Sequence, residues 1–195
     1  PPYTRNELDS KAKLGLNSLS RHRQEALDFM PMIKDEYGRL LTVAKVMSSF
    51  EDQANKVTVD GVEKTYKQVV LEALDKIFRL KGKTLIVTQS HDVAKSVERL
   101  FQEKGIVDNV SLSTNAPTFH KKLVELAQKP DDEDHFLITN SSSANQLHLP
   151  EGVLDNFVYL RAVTSSIALA RDFSIASDSP GTRLFAILPQ GQTEK

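Results

Sequence analysis

Short runs of β-branched and apolar residues, each followed by an amphipathic helical pattern, constrain this chain more than any other feature. The clearest instance is residues 81–105, KGKTLIVTQSHDVAKSVERLFQEKG. Thr84–Thr88 is apolar on both alternating faces, the pattern of a strand covered on both sides. Ser90 or Asp92 can cap a following helix that presents Val93, Val97, Leu100 and Phe101 on one face and stops at Gly105. A strand, a polar turn and an amphipathic helix form the first half of a βαβ unit.

The motif repeats in kind from residue 55 onward. Strands are predicted at Val57–Val59, Thr84–Thr88, Asn109–Ser113, His135–Thr139, Phe157–Leu160 and Leu184–Leu188. Helices are predicted over Glu63–Leu80, over Pro117–Gln128 with Phe119, Leu123, Leu126 and Ala127 inward, and near Ser165–Phe173. A polar loop runs from Asn140 to Gly152. Alternation of this kind predicts an α/β fold: a mostly parallel sheet with helices on both faces.

Residues 1–54 read differently and form a helical extension before the 55–195 lobe. Residues 1–16 are a weakly patterned arm. Ser18 or Ser20 can cap a helix through Phe29, ended at Met30-Pro31. A second helical stripe follows, carrying Ile33, Tyr37, Leu40, Leu41 and Ala44, and Val43, Val46 and Phe50 broaden it. A stripe this wide can serve two surfaces. Leu40, Val43, Val46 and Phe50 are therefore candidates for self-association or for docking to other domains of a parent protein.

Chemistry is sparse. Gly82-Lys83-Thr84 matches the end of a phosphate-binding P-loop, but Ile77 stands where the first glycine belongs. The strand also follows the tripeptide instead of preceding it, so the reading is a turn before a strand. No cysteine is present, which removes disulfides, thiolate metal sites and cysteine nucleophiles. The five histidines fall in no metal-binding spacing, and Asp131–Asp134 lacks the glycine and the distant glutamate of a calcium loop. Neither a metal nor a cofactor is implied. The net charge of −1 gives no basic field, although basic clusters stand at residues 11–23, at Lys76, Arg79, Lys81 and Lys83, and at His120, Lys121 and Lys122. No run reaches the length of a membrane span.

Taken in order, residues 55–190 resemble the second RecA-like lobe of superfamily-2 RNA helicases, most nearly the DEAD-box group. The lobe's opening strand and E-K helix start are similar to Val57–Val59 and Glu63-Lys64. Its I-I-F-V-x-T strand resembles Leu85-Ile86-Val87-Thr88-Gln89-Ser90. Its V-A-T-D-V-A-A-R-G-L-D-I-P segment resembles Ile138 to Pro150, keeping Ala144, Leu147, Leu149 and Pro150. The chemical letters differ: Asn140, Ser141, Asn145, Gln146 and His148 stand where the family has threonine, aspartates, arginine and glycine. Thr164-Ser165-Ser166-Ile167 looks like the lead-in to the last motif, but Asp172–Ser179 carries no arginine.

The resemblance implies a helicase-like lobe without hydrolysis, because phosphoryl transfer needs cations where Asp172 and Asp178 stand. It further implies weak contact with single-stranded RNA through Gln89, Ser90, Lys121, Lys122, Asn140, Ser141 and Asn145. The intact framework with eroded motifs is similar to the Yb-type, Tudor-domain helicase-like proteins of piRNA silencing, which would place the chain in the cytoplasm and its RNA granules. Two alternatives stand beside this reading. One is the C-terminal half of a divergent ATP-dependent RNA helicase; the other is an unrelated doubly wound domain that binds a small ligand.

Overall fold

In a computed structural model, the described residues are 24–30, 43–144, 152–160 and 181–189, with backbone alone for 24–30, 43–44 and 186–189. The chain order is β1 (Gln24–Met30), α1 (Val43–Ser48), β2 (Lys56–Val59), β3 (Val62–Thr65), α2 (Tyr66–Ala73), α3 (Asp75–Phe78) and β4 (Lys83–Thr88). It continues with α4 (His91–Glu103), β5 (Val110–Leu112), α5 (Ala116–Ala127), β6 (His135–Asn140), α6 (Ser141–Ala144), β7 (Asn156–Leu160) and β8 (Arg183–Pro189). Six strands make one sheet in the order β1-β8-β7-β4-β6-β5, and every neighbouring pair in it is parallel. This is the α/β architecture that the alternating pattern predicts.

Side-chain alternation divides the core between the two faces of the sheet. Ile86, Phe136, Ile138, Val158, Leu160 and Phe185 pack with α2 and α4 on one face. Leu85, Val87, Leu137, Phe157, Tyr159 and Leu184 pack with Phe119, Leu123 and Leu126 of α5 on the other. Strands β4, β6 and β7 are buried along their whole length, which is why they read as continuous apolar runs. Phe101 anchors the first face, in contact with the rings of Phe78 and Phe136 at 4.9 and 4.8 Å. Helix α4 has the predicted form: Ser90 is its N-cap, accepting from Val93 N, and Gly105 at φ +76° follows its end. In α5 the predicted inward set holds for Phe119, Leu123 and Leu126, whereas Ala127 is exposed.

Three elements depart from the sequence reading. Val57–Val59 is not in the parallel sheet. It belongs to β2, which pairs antiparallel with β3 in a separate hairpin. Asp60 and Gly61 sit at φ 51° and 78°, and the register Val59↔Val62 leaves them as a two-residue turn. Asp-Gly favours this primed turn because both central residues need positive φ. The helix predicted from Glu63 therefore begins three residues later. Thr65 caps it in a reciprocal box with Gln68, and it breaks at Leu74 between α2 and α3. Glu63-Lys64, matched above to the start of a helix, lie in β3.

The third departure is Gln24–Met30, a strand where the pattern predicts a helix through Phe29. It pairs with β8 from Gln24↔Leu184 onward, with a register shift between Asp28 and Met30 just before Pro31. The hydrogen bonds that decide this come from a partner about 160 residues away in sequence, and such pairing overrides local propensity. Residues 24–30 are thus part of the lobe's own sheet. The predicted arm at 1–16, the stripe at 31–42, the loop at 145–151 and the helix near 165–173 lie outside the described residues.

Candidate functional site

Connections after adjacent strands β4 and β6 leave toward opposite faces. Helix α4 follows β4 onto the Ile86 face, whereas α6 follows β6 and buries Ala144 among the Leu85 face. This divergence makes the carboxyl ends of β4 and β6 the switch point of the sheet, the position at which open α/β sheets form a ligand crevice. Thr88 and Asn140 are paired in register there. The structure thereby brings together Gln89, Ser90, Asn140 and Ser141, which the sequence places far apart.

Most of these side chains are already engaged. Ser90 Oγ caps α4. Asn140 Oδ1 accepts from Ser143 N at 3.0 Å and from Ser142 Oγ at 3.4 Å, while its Nδ2 donates to Thr114 O at 3.4 Å. Ser141 Oγ donates to Thr88 O at 3.2 Å, and Thr88 Oγ1 donates to Thr139 O at 3.0 Å. One contact is not visible in the sequence: His91 Nδ1 and Thr114 Oγ1 lie 2.6 Å apart, joining the loops after β4 and β5. No local pattern signals it, because the partners are 23 residues apart. Two hydroxyls, Thr139 Oγ1 and Ser143 Oγ, are buried without a hydrogen-bond partner.

The remaining predicted site residues lie elsewhere. Lys121 is exposed in the middle of α5, and Lys122 Nζ stands 3.8 Å from Glu125 Oε2, so neither is bonded to the crevice groups. Asn145 and Leu40 lie outside the described residues, as do Asp172 and Asp178, and the Val43 side chain is not described. Val46 and Phe50 are buried within the chain's own core, 1% and 2% exposed. This corrects their assignment as an interface: their apolar surface is already covered from within, against the core that includes α2.

Gly82-Lys83-Thr84 lies at the opposite, amino end of the sheet. Gly82 has φ +88°, and Lys83 and Thr84 open β4. Lys83 Nζ reaches Asp131 Oδ1 at 3.2 Å and the α5 terminal carbonyl of Ala127 at 3.5 Å, so its cation faces a helix C-terminus. Asp134 Oδ1 accepts from Gly82 N at 2.7 Å. That bond, with the Lys81 ammonium nearby, outweighs burial and holds the Asp134 carboxyl below its usual range. Asp155 Oδ2 accepts from Lys83 N, and Asn156 Nδ2 donates to Lys81 O. With Arg79 paired to Asp75, most of this basic cluster is neutralised by carboxylates.

Among the described residues no group of three or more histidines and carboxylates could hold a metal, and no helix is long and apolar enough to cross a membrane. The fold and its switch-point crevice define a doubly wound, parallel-sheet α/β lobe. No protein-family model and no curated protein matches the chain. Among solved structures it is similar to the helicase domain of Hef from Pyrococcus furiosus, at 20% identity and a TM-score of 0.42. The match covers 68% of this chain and 27% of that one.

Proposed function

We propose that this chain is a helicase-C-type, RecA-like lobe with eroded motifs that acts without ATP turnover, as an assembly module with weak contact to single-stranded RNA. The observation that carries this reading is the self-engagement of the crevice. Asn140, Ser141 and Ser90, which occupy positions the resemblance would give to ligand contacts, serve here as caps and inter-strand ties. The Leu85–Ser90 and Ile138–Ser141 segments, matched separately to two helicase motifs, do stand side by side, which supports the lobe assignment. A piRNA-silencing role beside Tudor domains, in cytoplasmic granules, rests on the sequence resemblance.

Phosphate recognition draws its affinity from cations, and each phosphate neutralised on a single strand adds about 0.7 to the log–log salt slope. The crevice contributes His91, hydroxyls and amides, leaving Lys121 and Lys122 on α5 as the nearest candidates for phosphate contact in the sequence reading. Anisotropy titration of labelled oligouridylate at two salt concentrations tests this. The expected result is weak binding with a shallow slope, reduced further by Lys121→Ala with Lys122→Ala. Nanomolar binding at physiological salt, or RNA-stimulated ATP turnover by the purified chain, would overturn the reading.

A further inference from the structure

Glu51 stands on the exposed turn after α1, immediately beyond the buried Phe50. Its Oε2 accepts two hydrogen bonds from α4, from Ser96 Oγ and from Arg99 Nη1, both at 2.6 Å. Lys67 of α2 adds positive charge, its ammonium paired with Glu103. Burial is the largest influence on the Glu51 carboxyl and raises it, but the two hydrogen bonds and the Arg99 and Lys67 charges together outweigh it and hold the group below its usual value. Two donors from one face of α4 thus converge on a single carboxylate oxygen supplied by a loop, with the Lys67 charge on α2 nearby.

That carboxylate is not what holds the loop in place. Val46, Met47 and Phe50 are buried and anchor the segment, whereas an ion pair as exposed as Glu51–Arg99 contributes little to stability. We propose that Ser96, Arg99 and Lys67 form an anion seat for a phosphorylated side chain of a partner protein, with Glu51 as its built-in occupant. A phosphoryl group presents three acceptor oxygens and close to two charges, matching the guanidinium fork better than one carboxylate oxygen does. Asp52, Glu98 and Glu103 neighbour the seat in sequence or by ion pairing, and this acidic surround disfavours an extended polyanion such as RNA. The seat is independent of the carboxyl-end crevice and of the function assigned to it.

The test uses the full chain, nitrogen-15 labelled, titrated with a short alanine-flanked phosphoserine peptide. Its unphosphorylated form and oligouridylate are the comparison arms. Phosphopeptide should shift the Ser96 amide and Arg99 Nε–H signals. Glu51→Gln should tighten binding up to about fivefold by removing the internal competitor, and Arg99→Met should abolish the response in either background. If Glu51→Gln does not fold, Glu51→Asp draws the carboxylate back by one methylene and should tighten binding in the same direction. The proposal fails if the vacated seat gives no Arg99-dependent shift, or if oligouridylate moves the same signals equally.

Discussion

Gly82→Ala isolates what the P-loop-like tripeptide does in this fold. Two penalties combine. At φ +88° an L side chain costs about 1–2 kcal/mol. An ideal Cβ would also lie 2.3 Å from Asp155 Oδ2 and 2.7 Å from its Cγ, so the carboxylate must withdraw. Withdrawal forfeits the 2.9 Å bond it accepts from Lys83 N, a hydrogen bond to a charged group, worth about 1.5–3 kcal/mol. The Asp155 side chain is solvent-accessible, which favours the lower figure, so the expected loss is about 3 kcal/mol, or about 6–12 °C in Tm for a domain of this size. Urea unfolding of the single and double variants separates the two contributions. In an Asp155→Ala background the clash with the carboxylate is gone and only the 3.0 Å approach to the residue-155 Cβ remains, so Gly82→Ala should cost little more than its backbone share of about 1–2 kcal/mol. An equal cost in both backgrounds would refute the close approach, and a loss below about 0.5 kcal/mol would refute the backbone argument as well.

Lys83→Met should change stability by less than about 1 kcal/mol, because the buried Lys83 side chain is replaced by an apolar one of similar volume and its exposed partner Asp131 is left in water, not as a buried unpaired charge; Lys83→Ala should cost about 2 kcal/mol or more through the cavity it leaves. Urea titrations of the two variants compare them directly. Thr139→Val removes a buried, unpartnered hydroxyl at nearly constant shape and should be neutral or stabilise by about 1 kcal/mol; a clear loss in the same assay would reveal a partner for that group. Asp134 and Glu51 both have depressed folded-state values, so their stabilisation is complete above the unfolded carboxylate range and is lost as pH falls through the folded values. Thermal melts should accordingly decline below about pH 4.5, and the decline should flatten in the Asp134→Asn, Glu51→Gln double variant.

The parts of the fold legible in the sequence are those fixed by burial over short range. Leu85, Ile86 and Val87 announce a strand because both faces are covered, and the α4 stripe of Val93, Val97, Leu100 and Phe101 announces which side of the helix turns inward. The misread elements are those decided by a partner or by turn chemistry. Gln24–Met30 carries Ala26, Leu27 and Phe29 in a spacing compatible with helix or strand, and only the β8 edge settles it. The hairpin was available in principle: Asp60-Gly61 between Val57, Val59 and Val62 is a two-residue turn signal. The helical stripe of Tyr66 onward overshadows it in any reading that extends the helix backward through Glu63.

The candidate site shows the same division more sharply. Sequence alone places Gln89, Ser90, Asn140 and Ser141 at strand ends, which is correct, and assigns them outward chemistry. The assignment fails to follow because a polar residue at a strand's carboxyl end has two competing uses. It can meet a ligand, or it can satisfy the orphan amides that every helix start leaves. Asn140 takes the second course, accepting from the α6 backbone through Oδ1 while Nδ2 ties the β6 end to Thr114 O. Ser90 does the same for α4. An acceptor spent in this way cannot turn to a ligand without loosening the helix start it caps. At the carboxyl ends of β4 and β6, Ser90, Asn140 and Ser141 therefore serve the scaffold, capping α4, closing α6 and tying neighbouring strands.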